Sequence, residues 1–397
     1  WRCSRIMWFP KGAFMIIAIG VLAAACSDAS PTPSAGGSPP SETTGLAPPV
    51  DEQVQPPDVD TSLHSVPLDE IYFDTFDGGS ITLADSTPEI REALLDAIPP
   101  IDDPTYGPPE QGDWLDPSDL VLGYEGTDSA YAYPFKILNF HEIVNEEIDG
   151  VPILVSYCPL CRSAIVYDRR LDGMELEFSN TSALHESDLV MVDRTTGSYW
   201  WQVAGSAIVG PLTGTSLETL PSTVATWSDW KRIHPDTVVL TRDTGFARPY
   251  ASDSFSTYAD YVASGQFAFP VSPASLDDRL PPATLVVAVT IGDTVRAYPV
   301  DDLAAPINDT VAGTPIVILP TDGGGGTFSP IVNGETLTFD RRRTDLVDTA
   351  TGTTWTANGV GVDGELTGVS LVPIPSRTTF WFAIVGAFPR VEVFTAP

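Results

Sequence analysis

The sequence predicts a β-rich α+β fold made of two tandem related domains, each built of antiparallel hairpins with a few short helices. The first observation is a series of short β-branched and aromatic runs separated by Asp-Gly and Thr-Gly turns. In the first domain these predicted strands are Val151 to Tyr157, Ile165 to Tyr167, Glu175 to Phe178, Leu189 to Val192 and Tyr199 to Val203. Helical periodicity is clearest in three short segments, 88–98, 134–144 and 228–234.

The second observation is that the chain contains two similar halves. The residues that recur at one constant offset are Asn145, Gly150, Pro152 and Ile153, which match Asn308, Gly313, Pro315 and Ile316. Longer segments match further along, at 193–200 with 348–355 and at 210–214 with 364–368. We place the first repeat at 116–250 and the second, degenerate repeat at 281–397, because each length suits one domain core.

The remaining segments frame these two repeats. Residues 66–115 are predicted to be an N-terminal extension that packs on the first domain, and residues 251–280 to be a connector. Residues 26–65 are rich in Pro, Ser and Gly and poor in large apolar residues. Such a composition buries too little surface to offset chain entropy, so this segment is predicted to be a disordered tether.

The first 25 residues have the features of a lipoprotein signal peptide. A basic flank with Lys11 precedes an apolar run from Ala13 to Ala25, which is too short to span a bilayer comfortably. Small residues directly before Cys26 resemble a lipobox, which predicts cleavage there and a lipid on the Cys26 sulfur. We therefore expect an exported protein that is lipid-anchored to the cell membrane or envelope; the alternative is a plain signal peptide with an incidental Cys26.

The charge balance bears on possible partners. The chain has 20 Lys and Arg residues against 53 Asp and Glu residues, a formal net charge of −33. Binding to a phosphate backbone depends on basic side chains that release counterions. A nucleic-acid partner is therefore not expected, whereas the membrane and an envelope redox or protein partner are.

Residues found in only one half are the candidates for function, because shared residues are explained by the common fold. Three such positions are Cys158, Cys161 and His141. In the alignment of the two halves they correspond to Thr321, Gly324 and residues 304–306. A further segment is longer in the first half, with 15 steps from Phe178 to Asp193 against 9 from Phe339 to Asp348. This longer segment includes His185.

Hairpin geometry predicts that these residues meet. A turn centred between Asp149 and Gly150 places residue 158 opposite residue 141, so Cys158 is expected beside His141. A next turn near 171–172 places residue 161 opposite about residue 182, close to His185. The predicted site is therefore Cys158, Cys161 and His141, with His185 nearby.

Four functions fit such a site. The first is thiol/disulfide exchange outside the cytoplasm, in which Cys158 attacks, Cys161 resolves and protonated His141 lowers the pKa of the attacking thiol. A predicted strand follows Cys161, so the helix N-terminus that stabilises a thioredoxin-type thiolate is missing. The second is a zinc or copper site that uses Cys158, Cys161, His141 and His185.

In the third and fourth functions the sulfurs neither react with a substrate nor bind a metal. In one, Cys158 and Cys161 form a short structural disulfide, which gains little from closing a small loop. In the other, the protein binds a partner or a glycan and the cysteines are incidental.

Three motifs resemble the bacterial and archaeal domain-of-unknown-function family numbered 3179. They are 139–145 (Asn-Phe-His-Glu-Ile-Val-Asn), 157–161 (Tyr-Cys-Pro-Leu-Cys) and 187–194 (Ser-Asp-Leu-Val-Met-Val-Asp-Arg). The resemblance extends from about Ile98 to Phe394. Some similar members place selenocysteine at a motif cysteine, which implies redox chemistry at Cys158 or Cys161. Arg162 stands where the family usually has glycine, and His185 stands where other residues are common.

Overall fold

The structure is a computed structural model that describes residues 55–395. The predicted signal peptide, the lipidation site Cys26 and residues 26–54 of the predicted tether lie outside the described residues. The described chain is β-rich, with many antiparallel sheets and few short helices, as the sequence predicts. None of its helices has the length and apolar character needed to cross a membrane.

The N-terminal extension and the first half supply the first group of strands. They are β1 (Ile71–Asp74), β2 (Ser80–Thr82), β3 (Tyr106–Gly107), β4 (Leu120–Glu125), β5 (Ala130–Pro134), β6 (Ile143–Ile148), β7 (Val151–Cys158), β8 (Ser163–Asp168), β9 (Arg170–Leu171), β10 (Met174–Glu175), β11 (Phe178–His185), β12 (Asp188–Asp193), β13 (Tyr199–Trp201), β14 (Ser206–Val209), β15 (Thr219–Leu220), β16 (Thr223–Thr226) and β17 (Val238–Leu240).

The second half supplies the remaining strands. They are β18 (Leu285–Ile291), β19 (Thr294–Pro299), β20 (Ile307–Val311), β21 (Thr314–Thr321), β22 (Gly324–Ser329), β23 (Ile331–Val332), β24 (Glu335–Thr336), β25 (Phe339–Arg342), β26 (Asp345–Asp348), β27 (Thr354–Trp355), β28 (Gly361–Asp363), β29 (Val372–Pro373), β30 (Ser376–Phe380) and β31 (Glu392–Val393).

The α-helices are short and lie between strands. They are α1 (Pro88–Leu94), α2 (Phe135–Leu138), α3 (Trp227–Ile233), α4 (Tyr258–Ala263) and α5 (Trp381–Ala387). The three predicted helical segments coincide with α1, α2 and α3. However, α2 ends at Leu138, well before the predicted residue 144, because the β-branched pair Ile143 and Val144 begins β6 and pairs with β7.

The same pairing pattern occurs in both halves. In the first half β16, β4 and β5 are antiparallel neighbours, and β17 joins β5 in parallel. In the second half β30, β18, β19 and β31 have the same arrangement. The hairpins β6-β7-β8 correspond to β20-β21-β22, and β11 to β14 correspond to β25 to β28. Equivalent turns have equivalent backbones: Asp149 and Gly150 have φ of 54° and 77°, and Ala312 and Gly313 have φ of 47° and 84°.

The two halves hydrogen bond to each other through equivalent elements. Strand β8 of the first half pairs with β30 of the second at Ala164 and Thr378, so both halves share one sheet. The Phe380 amide donates to the Cys161 carbonyl at 2.9 Å, and the Thr226 amide donates to the Asp322 carbonyl at 2.6 Å. Each half therefore contacts the β7–β8 or β21–β22 turn of the other.

The largest apolar core lies in the first half, between the hairpin β11–β12 and the turn that carries the cysteines. Cys158 and Cys161 both belong to it, along with large side chains such as Phe178 and Trp200. The N-terminal extension completes this core, because β1 pairs with β11 and buries Ile71 and Phe73. The cysteine-containing turn is therefore covered on the side of the hairpin.

Candidate functional site

The two cysteines flank a tight connection between β7 and β8. Cys158 ends β7 and pairs with Ser163, the first residue of β8, so the turn consists of residues 159–162. In the second half Thr321 pairs directly with Gly324, and the turn has only two residues. The register therefore places Ser163, rather than Cys161, at the position of Gly324, which corrects the alignment of Cys161. Cys161 lies in a turn that is two residues longer than its counterpart.

Both cysteines are free thiols in a buried environment, with 1% of Cys158 and none of Cys161 exposed. The Cys161 sulfur donates a hydrogen bond to Oδ1 of Asp188 at 2.7 Å and lies 3.2 Å from the Ser163 hydroxyl. The two sulfurs and a carboxylate oxygen of Asp188 all lie within 4.8 Å of one another. Two thiols and one carboxyl group thus form a compact cluster.

Asp188 reaches the thiols from a different sheet. It begins β12 at the tip of the β11–β12 hairpin, within the segment that has no counterpart in the second half. Its second oxygen, Oδ2, accepts a hydrogen bond from the Val203 amide at 2.8 Å. Burial raises the pKa of Asp188 to about 6, although hydrogen bonds from the Cys161 thiol and the Val203 amide oppose this rise. The carboxyl group can therefore gain or lose a proton near neutral pH.

A buried polar network holds the base of the turn. The Ser163 hydroxyl donates to the side-chain oxygen of Gln202, and the Gln202 amide donates to the Ser156 hydroxyl at 2.9 Å. All three residues are fully buried. Because buried polar groups are costly when unpaired, this network fixes the side-chain positions around Cys161.

The surroundings keep both thiols protonated. Burial raises the pKa of Cys158, and it raises the pKa of Cys161 well above its usual value. The negative charge of Asp188 adds to both effects. A strand follows the turn, as predicted, so no helix N-terminus lowers these pKa values. Any thiolate chemistry here therefore requires a proton acceptor.

A second buried carboxyl group lies next to this cluster. The backbone of Glu142 has a φ of 59°, and its side chain accepts a hydrogen bond from the Asn180 amide at 2.9 Å. Burial raises the pKa of Glu142 to about 8, and Asp188 contributes to the rise. Glu142 in turn raises the pKa of Cys158. This carboxyl group is therefore protonated at neutral pH.

His141 follows α2, and its ring is directed toward a different set of polar groups. Its Nδ1 lies 2.7 Å from the Pro99 carbonyl oxygen, and its Nε2 lies 2.6 Å from the Tyr250 hydroxyl. Burial lowers the pKa of His141 to about 4, so the ring is neutral at pH 7. The register of β6 and β7 continues as predicted, with Ile143 opposite Ser156, yet the ring of His141 hydrogen bonds elsewhere.

His185 ends β11 and pairs with Asp188 across the hairpin. Its Nδ1 lies 3.1 Å from the Glu70 carbonyl oxygen, and its ring packs edge-on against Trp201 at 4.6 Å. The predicted pairing of residue 161 with residue 182 is wrong. Strand β8 pairs with β7, β15 and β30, whereas β11 pairs with β1 and β12. The imidazole is therefore near the hairpin tip but is not part of the thiol cluster.

A cavity of about 170 Å³ lies beside the turn. The turn contributes Pro159 and Arg162 to its lining, and Lys136, Tyr157 and Tyr258 line it as well. The cysteines themselves are not among its lining residues. Cys158 follows Tyr157 in β7 and therefore faces the opposite side of the strand.

A family model described as "Protein of unknown function (DUF3179)" matches residues 95–390. The chain belongs to this family. The resemblance inferred from the three motifs is thereby confirmed. No curated protein and no solved structure matches the chain.

The DUF3179 match includes the complete thiol cluster, and it includes two acidic residues that sequence reasoning missed. Asp188 lies inside the longer first-half segment that drew attention to His185. The difference in length between the two halves could therefore have identified Asp188 as a candidate. Glu142 directly follows His141 and had no comparable indication. Arg162 has a φ of 51°, which lies in the left-handed region that glycine adopts at little cost.

Proposed function

We propose that this protein is a thiol/disulfide redox protein in which Cys158 and Cys161 form the redox couple and Asp188 accepts the Cys161 proton. The observation that carries the proposal is the 2.7 Å hydrogen bond from the Cys161 sulfur to the buried Asp188 carboxylate. A thiol with a strongly raised pKa is a poor nucleophile unless a base is in hydrogen-bond reach. Asp188, with a pKa of about 6, is such a base.

The proposed reaction reduces a substrate disulfide. The Cys158 thiol transfers its proton to Asp188, whose carboxylate lies within 4.8 Å of both sulfurs. The resulting thiolate attacks one sulfur of the substrate, forms a mixed disulfide and releases the first substrate thiolate, which takes that proton from Asp188. Cys161 then transfers its proton to Asp188 and attacks the Cys158 sulfur. This step forms the Cys158–Cys161 disulfide and releases the second substrate thiolate, which takes the proton held by Asp188. Two electrons and two protons pass from the protein to the substrate, and the reverse sequence oxidises a substrate dithiol.

The contacts of the two sulfurs support this division of roles. Cys161 is hydrogen bonded to Asp188, and its turn position places it near the sulfur of Cys158. Cys158 ends a strand, and the hydrogen bond from its partner thiol lowers its pKa in part. We assign attack to Cys158 and resolution to Cys161. His141 enters this proposal as a neutral residue that positions the backbone before β6.

Metal binding is the second candidate function. Two sulfurs and one carboxylate oxygen within 4.8 Å of one another suit zinc, and a copper ion would use the same sulfurs. The ligand set would be Cys158, Cys161 and Asp188, in place of the predicted imidazoles of His141 and His185. A structural disulfide is a weaker candidate, because the corresponding turn of the second half forms without sulfur.

Exchange of Asp188 tests the proposal most directly. We expect Asp188→Asn to slow resolution of a Cys158 mixed disulfide by on the order of 100-fold, because a positioned general base contributes about that much. Rapid-quench alkylation followed by intact-mass measurement gives the rate. Asp345→Asn, at the exposed first position of the equivalent strand β26, is the matched control and should leave the rate unchanged.

The same measurement separates the alternatives. Cys161→Ser should accumulate the mixed disulfide, and metal analysis of anaerobically purified protein should find less than stoichiometric zinc or copper at the thiols. A disulfide that reductant cannot open in the folded protein would contradict the redox proposal. Stoichiometric metal that is lost in Cys161→Ser would favour the metal site.

We propose further that the protein acts outside the cytoplasm, anchored by a lipid on Cys26. The small residues before Cys26 and the polar segment after it support this location. The mass of the mature N-terminus would test it, since a diacylglycerol adds a defined increment to Cys26. Exchange of Cys26 for serine should release the protein from the membrane.

We also propose that the two halves are tandem related domains and that the second is a degenerate copy without the thiol site. The identical order of strand pairing and the residues shared at one offset support a duplication. In this proposal the thiol site was gained or retained only in the first copy, and the second copy has a structural role.

A further inference from the structure

The tip of the β11–β12 hairpin carries a second cluster of potential ligands. A ring nitrogen of His185 and carboxylate oxygens of Glu70 and Glu186 all lie within 4.8 Å of one another. Glu70 directly precedes β1, which pairs with β11 through Ile71 and His185. Two strands and one turn therefore bring the three side chains together.

His185 is buried, and its ring is held by two neighbours. Only 4% of the residue is exposed, and Trp201 packs against its ring. The bond from Nδ1 to the Glu70 carbonyl places the proton on Nδ1 and leaves the lone pair on Nε2. Nε2 has no hydrogen-bond partner among the described residues. A backbone bond of this kind is the usual way that proteins hold a metal-binding imidazole.

The carboxylates of Glu70 and Glu186 supply the other two ligands of the cluster. Glu186 is held in place because one of its oxygens accepts a hydrogen bond from the Ser272 amide of the connector at 2.8 Å. Glu70 is exposed, so the cluster is open to solvent on one side. The two carboxylates give the cluster negative charge, which a divalent cation would neutralise.

We infer that Glu70, His185 and Glu186 form a binding site for a divalent first-row transition-metal ion such as Zn²⁺, separate from the thiols. One imidazole and two carboxylates are accepted ligands of Zn²⁺, and three protein ligands leave a coordination position for water. The site goes beyond the proposed redox function and does not depend on it. It also gives His185 a metal-binding role with ligands other than the predicted cysteines.

Zn²⁺ titration of a thiol-free protein tests this inference. In the Cys158→Ser/Cys161→Ser background, competition with a chromophoric chelator should reveal one equivalent of bound Zn²⁺. His185→Gln, Glu186→Gln and Glu70→Gln should each weaken binding at least tenfold. Glu70 is exposed, so Glu70→Gln reports on binding even if the exchange of buried His185 impairs folding. A rise in thermal unfolding temperature with Zn²⁺ concentration should accompany binding.

Two matched controls define the outcome. His64→Gln removes an imidazole with the same kind of backbone bond, to the Val66 carbonyl, but without the two carboxylates, and should leave binding unchanged. Glu92→Gln removes an exposed carboxylate elsewhere and should also have no effect. Absence of stoichiometric binding in the thiol-free protein, or equal binding by the test and control variants, would overturn the inference.

Discussion

The β7–β8 turn and the β21–β22 turn connect equivalent strands but differ in length and in the residues that they contain. In the second half, Thr321 and Gly324 are joined by two residues, and the Asp322 carbonyl accepts the bond from the first half. In the first half the turn has four residues, and the Cys161 carbonyl accepts the reciprocal bond. The comparison teaches that a turn at this place in the framework forms without sulfur.

The hairpins next to these turns differ in burial as well as in length. Every residue of β11 is buried, because β1 covers its edge, whereas β25 has one buried residue followed by three exposed ones. The additional first-half residues place Asp188 inside the molecule against Cys161. The buried cluster of two thiols and one carboxyl group thus lies where the N-terminal extension covers the hairpin.

Replacing the first turn by the second should have the largest effect. Exchange of 159–162 (Pro-Leu-Cys-Arg) for Asp-Gly should abolish thiol/disulfide exchange completely and leave the circular dichroism spectrum unchanged, because the new Asp carbonyl can accept the Phe380 bond. Activity with a model disulfide and far-ultraviolet spectra would be measured together. Loss of the folded state in this variant would contradict the view that the turn is exchangeable.

Replacing the ionisable carboxyl group of Glu142 by an amide should have the next largest effect, and the effect depends on pH. The native protein keeps a proton on Glu142 up to a pKa of about 8, whereas the unfolded chain releases it near pH 4.5, so stability falls as pH rises between these values. Glu142→Gln should therefore be more stable than wild type at pH 8, by on the order of 4 kcal/mol.

Urea unfolding at pH 5 and pH 8 measures this difference. The variant and the wild type should differ little at pH 5 and clearly at pH 8. Glu147→Gln, on the exposed side of the same strand, is the control and should show no such pH dependence. A variant that is less stable than wild type at pH 8 would show that the carboxyl group is ionised and stabilising.

The smallest expected effect concerns the backbone of the longer turn. Arg162 has a φ of 51°, and the second turn has Gly323 at 98°. A left-handed residue other than glycine costs about 1 kcal/mol, so Arg162→Gly should raise the free energy of unfolding by less than about 1 kcal/mol after the added chain entropy. Arg162→Ala keeps the Cβ and should give no gain. If Arg162→Gly and Arg162→Ala changed the free energy of unfolding equally, the left-handed backbone of residue 162 would not explain the effect.

The β-rich architecture and the proximity of the two cysteines could be predicted because both depend on local patterns. Asp149 and Gly150 define a turn, and short alternating runs define the strands around it. Asp188 could not be predicted as a partner of Cys161, because the contact joins two sheets that pairing rules do not relate. The direction of the His141 ring was equally inaccessible, since it depends on Tyr250, which is 109 residues away.

The reciprocal bonds between the halves have a consequence for how the molecule holds together. Strand β30 of the second half completes the edge of β8, and the Thr379 hydroxyl donates to the same Cys161 carbonyl as the Phe380 amide. Neither half closes its own sheet, so a separated half would present unpaired strand edges that favour aggregation. The half without thiols thus supplies the strand β30 and the backbone amide that hold the Cys158–Cys161 turn in place.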